Sequence, residues 1–407
     1  MTAQPSLSNP PDIMSAPRQR PCSALYLHVP FCLQKCPYCS FFSISGGNAL
    51  YAPYVQAVTK QVQELVFLPQ TEETMLETIF FGGGTPSMLP VDALADLLTC
   101  CLRTLPHVHT RDMEISIEVN PATIDRRGLH KLRRAGFNRL SIGGQSFDDR
   151  ELKTLGRPHT ATEAQQTFQH ARKAGFANIN LDLMYGLPGQ HVAGWRQTLE
   201  QAITLAPEHL SLYELTIEEN TPFAGQVRRG SLSMPAEDDV LAMLACTQTM
   251  TREAGFIRYE ISNYARPGFQ CRHNINYWHN YSYIGLGAGA VGCLDDTRYT
   301  VIRDIKHFAE QIAAGTTAWQ EKERLTREER FRETVIMGLR MLCGVSLAEM
   351  DLRFGINLKN YYGSILTSFL ERRLLLIFLF FPKNHLRLLP YELNSSLLRR
   401  AALLLDF

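Results

Sequence analysis

The sequence lacks an excess of charge of either sign. Its 41 basic and 40 acidic side chains leave a formal net charge of +1 over 407 residues. Proteins that bind nucleic acid or an anionic membrane through a broad charged surface usually carry a clear basic excess. We therefore expect no nucleic-acid partner, and the composition favours a small or locally recognised ligand.

The chain also lacks long hydrophobic runs. The longest run, residues 374–381, is far shorter than the roughly 20 residues that a transmembrane helix needs, so it predicts a buried strand and no transmembrane segment. Residues 1–20 are rich in proline and lack an apolar segment, which excludes a signal peptide. We expect a flexible tail over residues 1–22. The few acidic residues there leave a transit peptide open as an alternative.

Cysteine is too sparse for a disulfide scaffold. Ten cysteines are spread over the whole chain without a secretory signal before them, whereas disulfide-rich domains are short and secreted. The sequence therefore predicts reduced thiols and a cytoplasmic protein.

From residue 25 onward, short apolar runs alternate with longer helical stretches. This alternation is typical of parallel strands joined by crossover helices. It predicts an α/β protein whose residues 23–300 form six β/α units, a partial (β/α)6 TIM-like barrel with its functional loops at the carboxyl ends of the strands. A small, mainly helical domain is expected over residues 301–407. The predicted strands are residues 25–29, 78–81, 114–119, 139–142, 178–184 and 209–214, and the predicted helices include residues 54–65, 91–102, 161–174, 195–205, 302–314 and 326–342.

The segment PFCLQKCPYCSF, directly after the first predicted strand, carries Cys32, Cys36 and Cys39. Thiolates this close together select iron-sulfur clusters, zinc or copper. A structural zinc site would need a fourth ligand, for which His28 or Cys22 is the nearest candidate. A cubane cluster on three cysteines instead leaves one iron open, where the amine and carboxylate of S-adenosylmethionine can chelate.

With this loop in this position, and with Tyr38 before the third cysteine, the sequence resembles the radical S-adenosylmethionine superfamily. The resemblance implies a [4Fe-4S] cluster and bound S-adenosylmethionine. In that superfamily, one electron from the cluster splits the cofactor's carbon-sulfur bond and produces a 5′-deoxyadenosyl radical, while the protein positions the cofactor and excludes water.

Further motifs follow at the ends of the predicted strands. Arg157, in LGRPH, can bind a carboxylate in bidentate fashion, although an arginine in a loop is more often a solvated charge. Asp182 lies inside an apolar strand, where a carboxylate is costly unless it is paired or binds a ligand. Together with GGGTP, ExNP, GGQSF and YEISNYARPG, these motifs are similar to the superfamily branch of anaerobic coproporphyrinogen III dehydrogenases and HemW-type haem chaperones. The cofactor contacts that this resemblance implies are Tyr26, Gly83, Gly84, Thr85, Glu118, Gln145, Arg157 and Asp182.

Two features separate the members of this branch. The dehydrogenases typically have a fourth cysteine two positions after the third, where this chain has Phe41. The chain also has the HNxxYW phrase of the haem chaperones, which the resemblance associates with haem. The haem contacts so predicted are His273, Asn274, Tyr277 and Trp278. An imidazole can ligate iron, and aromatic rings can stack on a porphyrin. The residues alone also allow a structural interpretation, with the aromatics in the core and the histidine as a cap.

The resemblance therefore implies a haem chaperone that binds haem, a [4Fe-4S] cluster and S-adenosylmethionine. Such a protein would receive electrons from a donor and pass haem to an apoprotein, for example a respiratory enzyme. The alternatives are an oxygen-independent coproporphyrinogen III oxidase and a zinc-stabilised interaction protein without redox chemistry.

Overall fold

The computed structural model describes residues 22–65, 75–294, 296–372, 374–380 and 383–388. Its strands, in chain order, are β1 (Ala24–Val29), β2 (Phe31–Cys32), β3 (Ile44–Ser45), β4 (Thr78–Gly83), β5 (Glu114–Val119), β6 (Arg139–Gln145), β7 (Asn178–Tyr185), β8 (His209–Glu214), β9 (Ile257–Arg258), β10 (Asn263–Ala265), β11 (Tyr283–Leu286), β12 (Val291–Leu294), β13 (Thr297–Val301), β14 (Trp319–Arg324), β15 (Val345–Ser346), β16 (Leu375–Phe380) and β17 (Lys383–Leu388).

Helices connect most of these strands. In chain order they are α1 (Tyr51–Glu64), α2 (Val91–Thr104), α3 (Arg126–Ala135), α4 (Asp149–Thr154), α5 (Ala161–Lys173), α6 (Val192–Thr204), α7 (Pro222–Arg228), α8 (Glu237–Glu253), α9 (Arg272–Trp278), α10 (Ile305–Ala313), α11 (Arg327–Gly338), α12 (Leu347–Phe354) and α13 (Leu358–Glu371).

The six predicted strands are confirmed as β1, β4, β5, β6, β7 and β8, which lie side by side in that order and run parallel. Helices of the crossovers cover the outer face of the sheet, so the outward side chains of each strand are buried among apolar helix residues. The result is the predicted partial barrel. Because the strands are parallel, all of their carboxyl ends lie at one rim.

The sheet continues beyond the six strands at both ends. Next to β1 it adds β11 in parallel and then β12, β13 and β14 in antiparallel pairing. Next to β8 it adds β10 and β9. The sequence did not predict these strands. β1 is therefore an inner strand, hydrogen-bonded on both sides.

The alternation of side chains along β1 decides what faces the barrel interior. Leu25 and Leu27 point outward into the apolar core, at no more than 1% exposure. Tyr26 and His28 point to the opposite face, since successive side chains on a strand alternate. The Tyr26 hydroxyl and His28 Nδ1 lie 2.9 Å apart. The inner face of β1 is thus polar and leads directly to the cysteine loop.

A capping box fixes the helix that follows the LGRPH motif. Thr160 accepts from the backbone N–H of Glu163, whose side chain accepts in return from the Thr160 N–H, so α5 begins at Ala161. Just before it, Gly156 has a φ of +64°, a conformation that favours glycine. This tight turn brings Arg157 back toward the cysteine loop.

The C-terminal part has its own apolar core. α11, α12 and α13 pack with a three-stranded sheet in the order β15-β17-β16, and residues 374–381, predicted to form a strand, include β16. The large sheet runs on to Arg324, while the second core uses residues from Phe331 onward together with Ile261. The predicted division near residue 300 stays a prediction, and residues 1–21 and 389–407 lie outside the described residues.

Three arginines of the C-terminal part contact the last residue of α9 and the chain directly after it. Arg330 donates to the side-chain and backbone oxygens of Asn280, both at 2.8 Å. Arg353 donates to the backbone carbonyl of the same asparagine at 3.2 Å. The Arg340 guanidinium lies 4.2 Å from the centre of the Trp278 ring. The end of α9 is therefore fixed by contacts from the C-terminal part.

No helix in the described part of the chain is long and apolar enough to cross a membrane.

Trp195 offers a test of the barrel's outer layer. This fully buried side chain of α6 packs on Tyr185 and donates from Nε1 to Thr247 of α8 at 2.8 Å. Trp195→Ala leaves a large cavity and should cost about 3–5 kcal/mol of stability. We expect thermal denaturation to show a melting temperature several degrees lower. The matched control Trp319→Ala, at a position 42% exposed, should have a much smaller effect, and equal losses would contradict the assigned packing.

Candidate functional site

The loop after β1 brings the three motif cysteines together. Cys32 ends β2, and the Cys39 N–H donates to the Cys36 carbonyl at 3.1 Å. Cys36 is buried, Cys32 and Cys39 are partly exposed, and all three are free thiols. Cys39 lies close enough to both of the others for their charges to interact. The predicted cluster ligands thus surround one small volume at the rim of the barrel.

The arrangement of these thiols fits a cluster better than a single zinc ion. A structural zinc site needs four ligands around a point, and the nearest candidate, His28, has its Nε2 2.9 Å from the Phe42 carbonyl oxygen. A cubane cluster instead presents separate irons to separate thiolates, which suits three cysteines around a volume.

Glycines let the end of β4 pass close to the cysteine loop. A β-carbon on Gly84 would lie 3.1 Å from Cys32 Sγ and closer still to the backbone before it. Gly83 has a φ of +114°, and a β-carbon there would meet the His28 ring at 2.7 Å. Thr85 follows, with its Oγ1 3.8 Å from Cys32 Sγ. Gly84 and Thr85 therefore lie against the Cys32 thiol and Gly83 against the His28 ring, and no larger residue fits at the two glycines.

Two carboxylates face the barrel interior from β5 and β7. Glu118 accepts from the Gly83 N–H at 3.2 Å, and Asp182 accepts from Ser141 Oγ at 2.9 Å and from Asn180 Nδ2 at 2.8 Å. Burial raises the pKa of the Glu118 carboxyl to about 8, and the charge of Asp182 adds to the rise. Burial also raises the pKa of Asp182. Carboxylates so placed are suited to accept hydrogen bonds from ligand hydroxyl or ammonium groups.

Arg157 joins the end of β6 to the cysteine loop. Its Nη2 donates to the Gly143 carbonyl at 2.9 Å, and its Nη1 lies 3.6 Å from Cys36 Sγ. Its Nε is buried and has no hydrogen-bond partner among the described residues. Buried N–H groups normally have a partner, and a ligand carboxylate could supply one here. Arg157 thus has the placement that its predicted role requires.

Gln145 ends β6 in an unusual backbone conformation. Its φ is +65°, which is uncommon for a residue with a β-carbon, and the pairing of β6 with β7 shifts register between Ile142 and Gln145. Local strain of this kind costs about 1–3 kcal/mol and clusters at functional sites. The shift places Gln145 at the same rim as Arg157.

The HNxxYW phrase forms α9, and His273 lies at the other end of the barrel. Its Nδ1 is 2.8 Å from the hydroxyl of Thr78, the first residue of β4, and its Nε2 is 3.0 Å from the Tyr277 hydroxyl. The ring stacks on Phe80 and is 1% exposed. Burial lowers the pKa of His273 to about 3, with a smaller contribution from Arg139. The structure does not bring this histidine together with the cysteines, and both of its ring nitrogens have partners.

The other three residues of the phrase have different surroundings. Trp278 packs beneath Arg340, and its Nε1 is buried without a hydrogen-bond partner among the described residues. Asn274 is partly buried on the same helix. Tyr277 alone of the four predicted haem contacts lines the large cavity of the described structure. The predicted haem contacts are thus divided between the cavity, the core and the interface with the C-terminal part.

A cavity of about 530 Å³ lies between the cysteine loop, β1, β11 and α9. Its aromatic lining residues are Tyr26, Phe41, Phe42, Tyr277 and Tyr283, and its charged ones are Lys35 and Arg303. Sequence reasoning named His28 only as a possible fourth zinc ligand and did not identify Tyr283, Lys35 or Arg303 as site residues. For His28 a signal existed, because the period of two along β1 puts it on the same face as Tyr26.

Glu118 gives a pH test of the buried carboxylates. Its folded-state pKa of about 8 exceeds the ordinary value of 4.5, so ionisation of the unfolded chain lowers stability as pH rises between those values. Glu118→Gln removes this penalty. We expect the variant to melt above the wild type at pH 8 and together with it near pH 4, by thermal scans across that range. The exposed control Glu253→Gln should follow the wild type throughout, and a difference for Glu118→Gln that did not depend on pH would contradict this assignment.

Family comparisons agree with this geometry. The chain matches the model of the radical SAM superfamily over residues 26–202 and that of the HemN C-terminal domain over residues 325–378. In the solved structures, Escherichia coli coproporphyrinogen III oxidase (HemN), described as a radical SAM enzyme, superposes with a TM-score of 0.79. The match covers 95% of this chain and 90% of that one at 23% identity, which shows a shared fold.

Sequence relatives define the family more narrowly. The heme chaperone HemW of Bacillus subtilis is 34% identical over 351 residues, covering 86% of this chain and 92% of that protein. The heme chaperone HemW of Escherichia coli is 42% identical over 270 residues, covering 66% of this chain and 69% of that protein. On the strength of these matches and of the three-cysteine loop at the barrel rim, the chain belongs to the HemW family of the radical S-adenosylmethionine superfamily.

Proposed function

We propose that this protein is a haem chaperone that holds a [4Fe-4S] cluster and S-adenosylmethionine, binds haem and passes it to an apoprotein. The observation that carries the proposal is the three-cysteine loop opening onto an aromatic-lined cavity of about 530 Å³. Pockets for cofactor-sized ligands have volumes of roughly 300–1,000 Å³. Relatives that match over most of their length are named heme chaperones, which supports the same function here.

Each rim residue has a role in this proposal. Cys32, Cys36 and Cys39 would hold the cluster, whose open iron supplies the coordination site and the electron for S-adenosylmethionine chemistry. Arg157 would bind the methionyl carboxylate through its unpartnered Nε, and backbone carbonyls around Gly83 and Gly84 would accept from the methionyl amine.

The remaining contacts would lie deeper in the barrel. Glu118 and Asp182 would accept hydrogen bonds from the ribose hydroxyls or the ammonium, and Gln145 and Thr85 would complete the rim around the ligand. Tyr26 would separate this ligand from the aromatic cavity, which it also lines. The aromatic side chains around the cavity would exclude water from the reacting centre.

The alternative is an oxygen-independent coproporphyrinogen III oxidase, which the shared fold with HemN favours. The position two residues after Cys39, where the resemblance associates a fourth cysteine with the oxidases, is Phe41, 68% exposed at the cavity. An exposed phenylalanine there supplies an apolar contact and no thiolate. We therefore favour haem binding over porphyrinogen oxidation.

The partners and the location are part of the same proposal. A thiolate-held cluster needs a reducing compartment, so we propose a cytoplasmic protein that receives electrons from a donor and delivers haem to an acceptor such as a respiratory enzyme.

Metal analysis tests the cluster. Anaerobically reconstituted protein should contain about four iron and four sulfide per chain, and Cys36→Ala should lose most of both because a cubane held by two thiolates is poorly retained. The matched control Cys246→Ala removes a partly buried thiol from α8, away from the loop, and should retain the full content. Zinc in place of iron would overturn the proposal.

Haem transfer separates the chaperone from the oxidase. Haem-loaded protein should pass its haem to an apo-cytochrome acceptor, seen as a shift of the Soret band on the acceptor. Incubation with coproporphyrinogen III, S-adenosylmethionine and a reductant should yield no protoporphyrinogen IX. Clear turnover in that assay, or a protein that never binds haem, would contradict the assignment.

A further inference from the structure

The large cavity has aromatic side chains along its inner walls and cations at its mouth. Tyr26, Tyr277 and Tyr283 form its inner walls, and the Tyr277 and Tyr283 rings meet edge to face at 4.7 Å. Lys35 and Arg303, both exposed, lie at the mouth. The described lining contains no Asp or Glu. A ligand matched to this cavity has a flat apolar body and carries negative charge at one edge.

The Lys35 ammonium has one N–H donor more than its two contacts use. It donates to the Phe41 carbonyl and to Ser43 Oγ, the latter at 3.0 Å, and an ammonium has three donors. These two contacts fix the side chain over the cysteine loop, so that its charge points into the mouth of the cavity. The third donor is left for a ligand.

The Arg303 guanidinium completes the pair from the other side of the mouth. Arg303 follows β13, and its backbone N–H donates to Gln320 Oε1 at 3.4 Å. Its guanidinium has no partner among the described residues. A guanidinium binds carboxylates in bidentate fashion. The positive charges of Arg303 and Lys35 both act on His28 inside the cavity, so the two cations converge on the same space.

We propose that this cavity is the haem-binding site, with the porphyrin ring against Tyr26, Tyr277 and Tyr283 and the two propionates paired with Lys35 and Arg303. The proposal rests on the haem-chaperone function and adds the place and orientation of the haem. It also moves the site away from His273, whose two ring nitrogens already have partners. Of the HNxxYW residues, Tyr277 contributes directly.

This orientation follows from the energetics of an amphipathic ligand. Aromatic walls remove the apolar macrocycle from water, whereas the propionates stay at the exposed mouth, where their desolvation is small and two cations bind them. The reverse orientation would bury two carboxylates among aromatic rings, away from both cations, which is unfavourable. The propionate edge therefore faces outward, next to Phe41.

Haem titration followed by the Soret band tests the proposal in the reconstituted full-length protein. Arg303→Ala lies outside the cysteine loop and should weaken haem binding about five- to tenfold, as expected for loss of one charged carboxylate contact. The matched control Arg252→Ala removes one exposed positive charge from α8 and should bind haem as the wild type does. Equal weakening in the control would show a general charge effect and overturn the site.

Haem dimethyl ester tests the propionates without changing the protein. The wild type should bind it at least about tenfold more weakly than haem, and Arg303→Ala should show little further loss with the ester.

Lys35→Met should behave like Arg303→Ala, provided that its iron content shows an intact cluster. Saturating S-adenosylmethionine should leave haem affinity unchanged, and competitive displacement would assign the cavity to that cofactor instead.

These titrations distinguish an incorrect location of the haem from an incorrect haem-chaperone function. A wild-type protein that binds neither haem nor the ester overturns the haem-chaperone proposal itself. A wild-type protein that binds both equally well, with Arg303→Ala unchanged, keeps the chaperone function and overturns the location.

Discussion

The pairing of β1 with β4 on one side and β11 on the other supports everything at the barrel rim. The register sets Tyr26 opposite both Phe80 and Gly285, so the strand before the cysteine loop cannot slide along either neighbour without breaking two ladders. Because β1 is held in this way, the loop begins at a fixed point, and the glycines at the end of β4 meet it at van der Waals distance. The same strand points its polar face into the cavity.

Charge is distributed in two layers from the rim inward. Cations lie around the entrance and beside the thiols, where Arg157 and Lys35 are close to the loop. Carboxylates lie deeper, where burial holds the pKa of Glu118 near 8. A ligand with a carboxylate at one end and hydroxyls or an amine at the other matches this gradient. The arrangement favours one orientation of such a ligand over its reverse.

Much of the fold was predictable because parallel buried strands are continuous apolar runs. All six predicted strands were confirmed, with β4 two and β6 three residues longer than predicted. The strands β11 and β12 were not predicted, since they are short and overlap the glycine-rich segment from Tyr283 to Gly292. Asp182 was detectable as an acid in an apolar strand. The approach of Lys35 to Arg303 was not, because it depends on how β11 to β13 fold back beside β1. The burial of His273 likewise depends on Thr78 and Tyr277, which no local pattern connects to it.

The arginine contacts behind α9 give the C-terminal helices a mechanical link to the cavity wall. Arg330 and Arg353 donate hydrogen bonds to Asn280. Asn280 lies two residues after the end of α9, the helix that carries Tyr277. A protein that docked on α11 or α12 and shifted them would pull on that helix through these contacts, and the wall would move with it. Under the proposed function, an acceptor docked there would act on the haem site through these contacts.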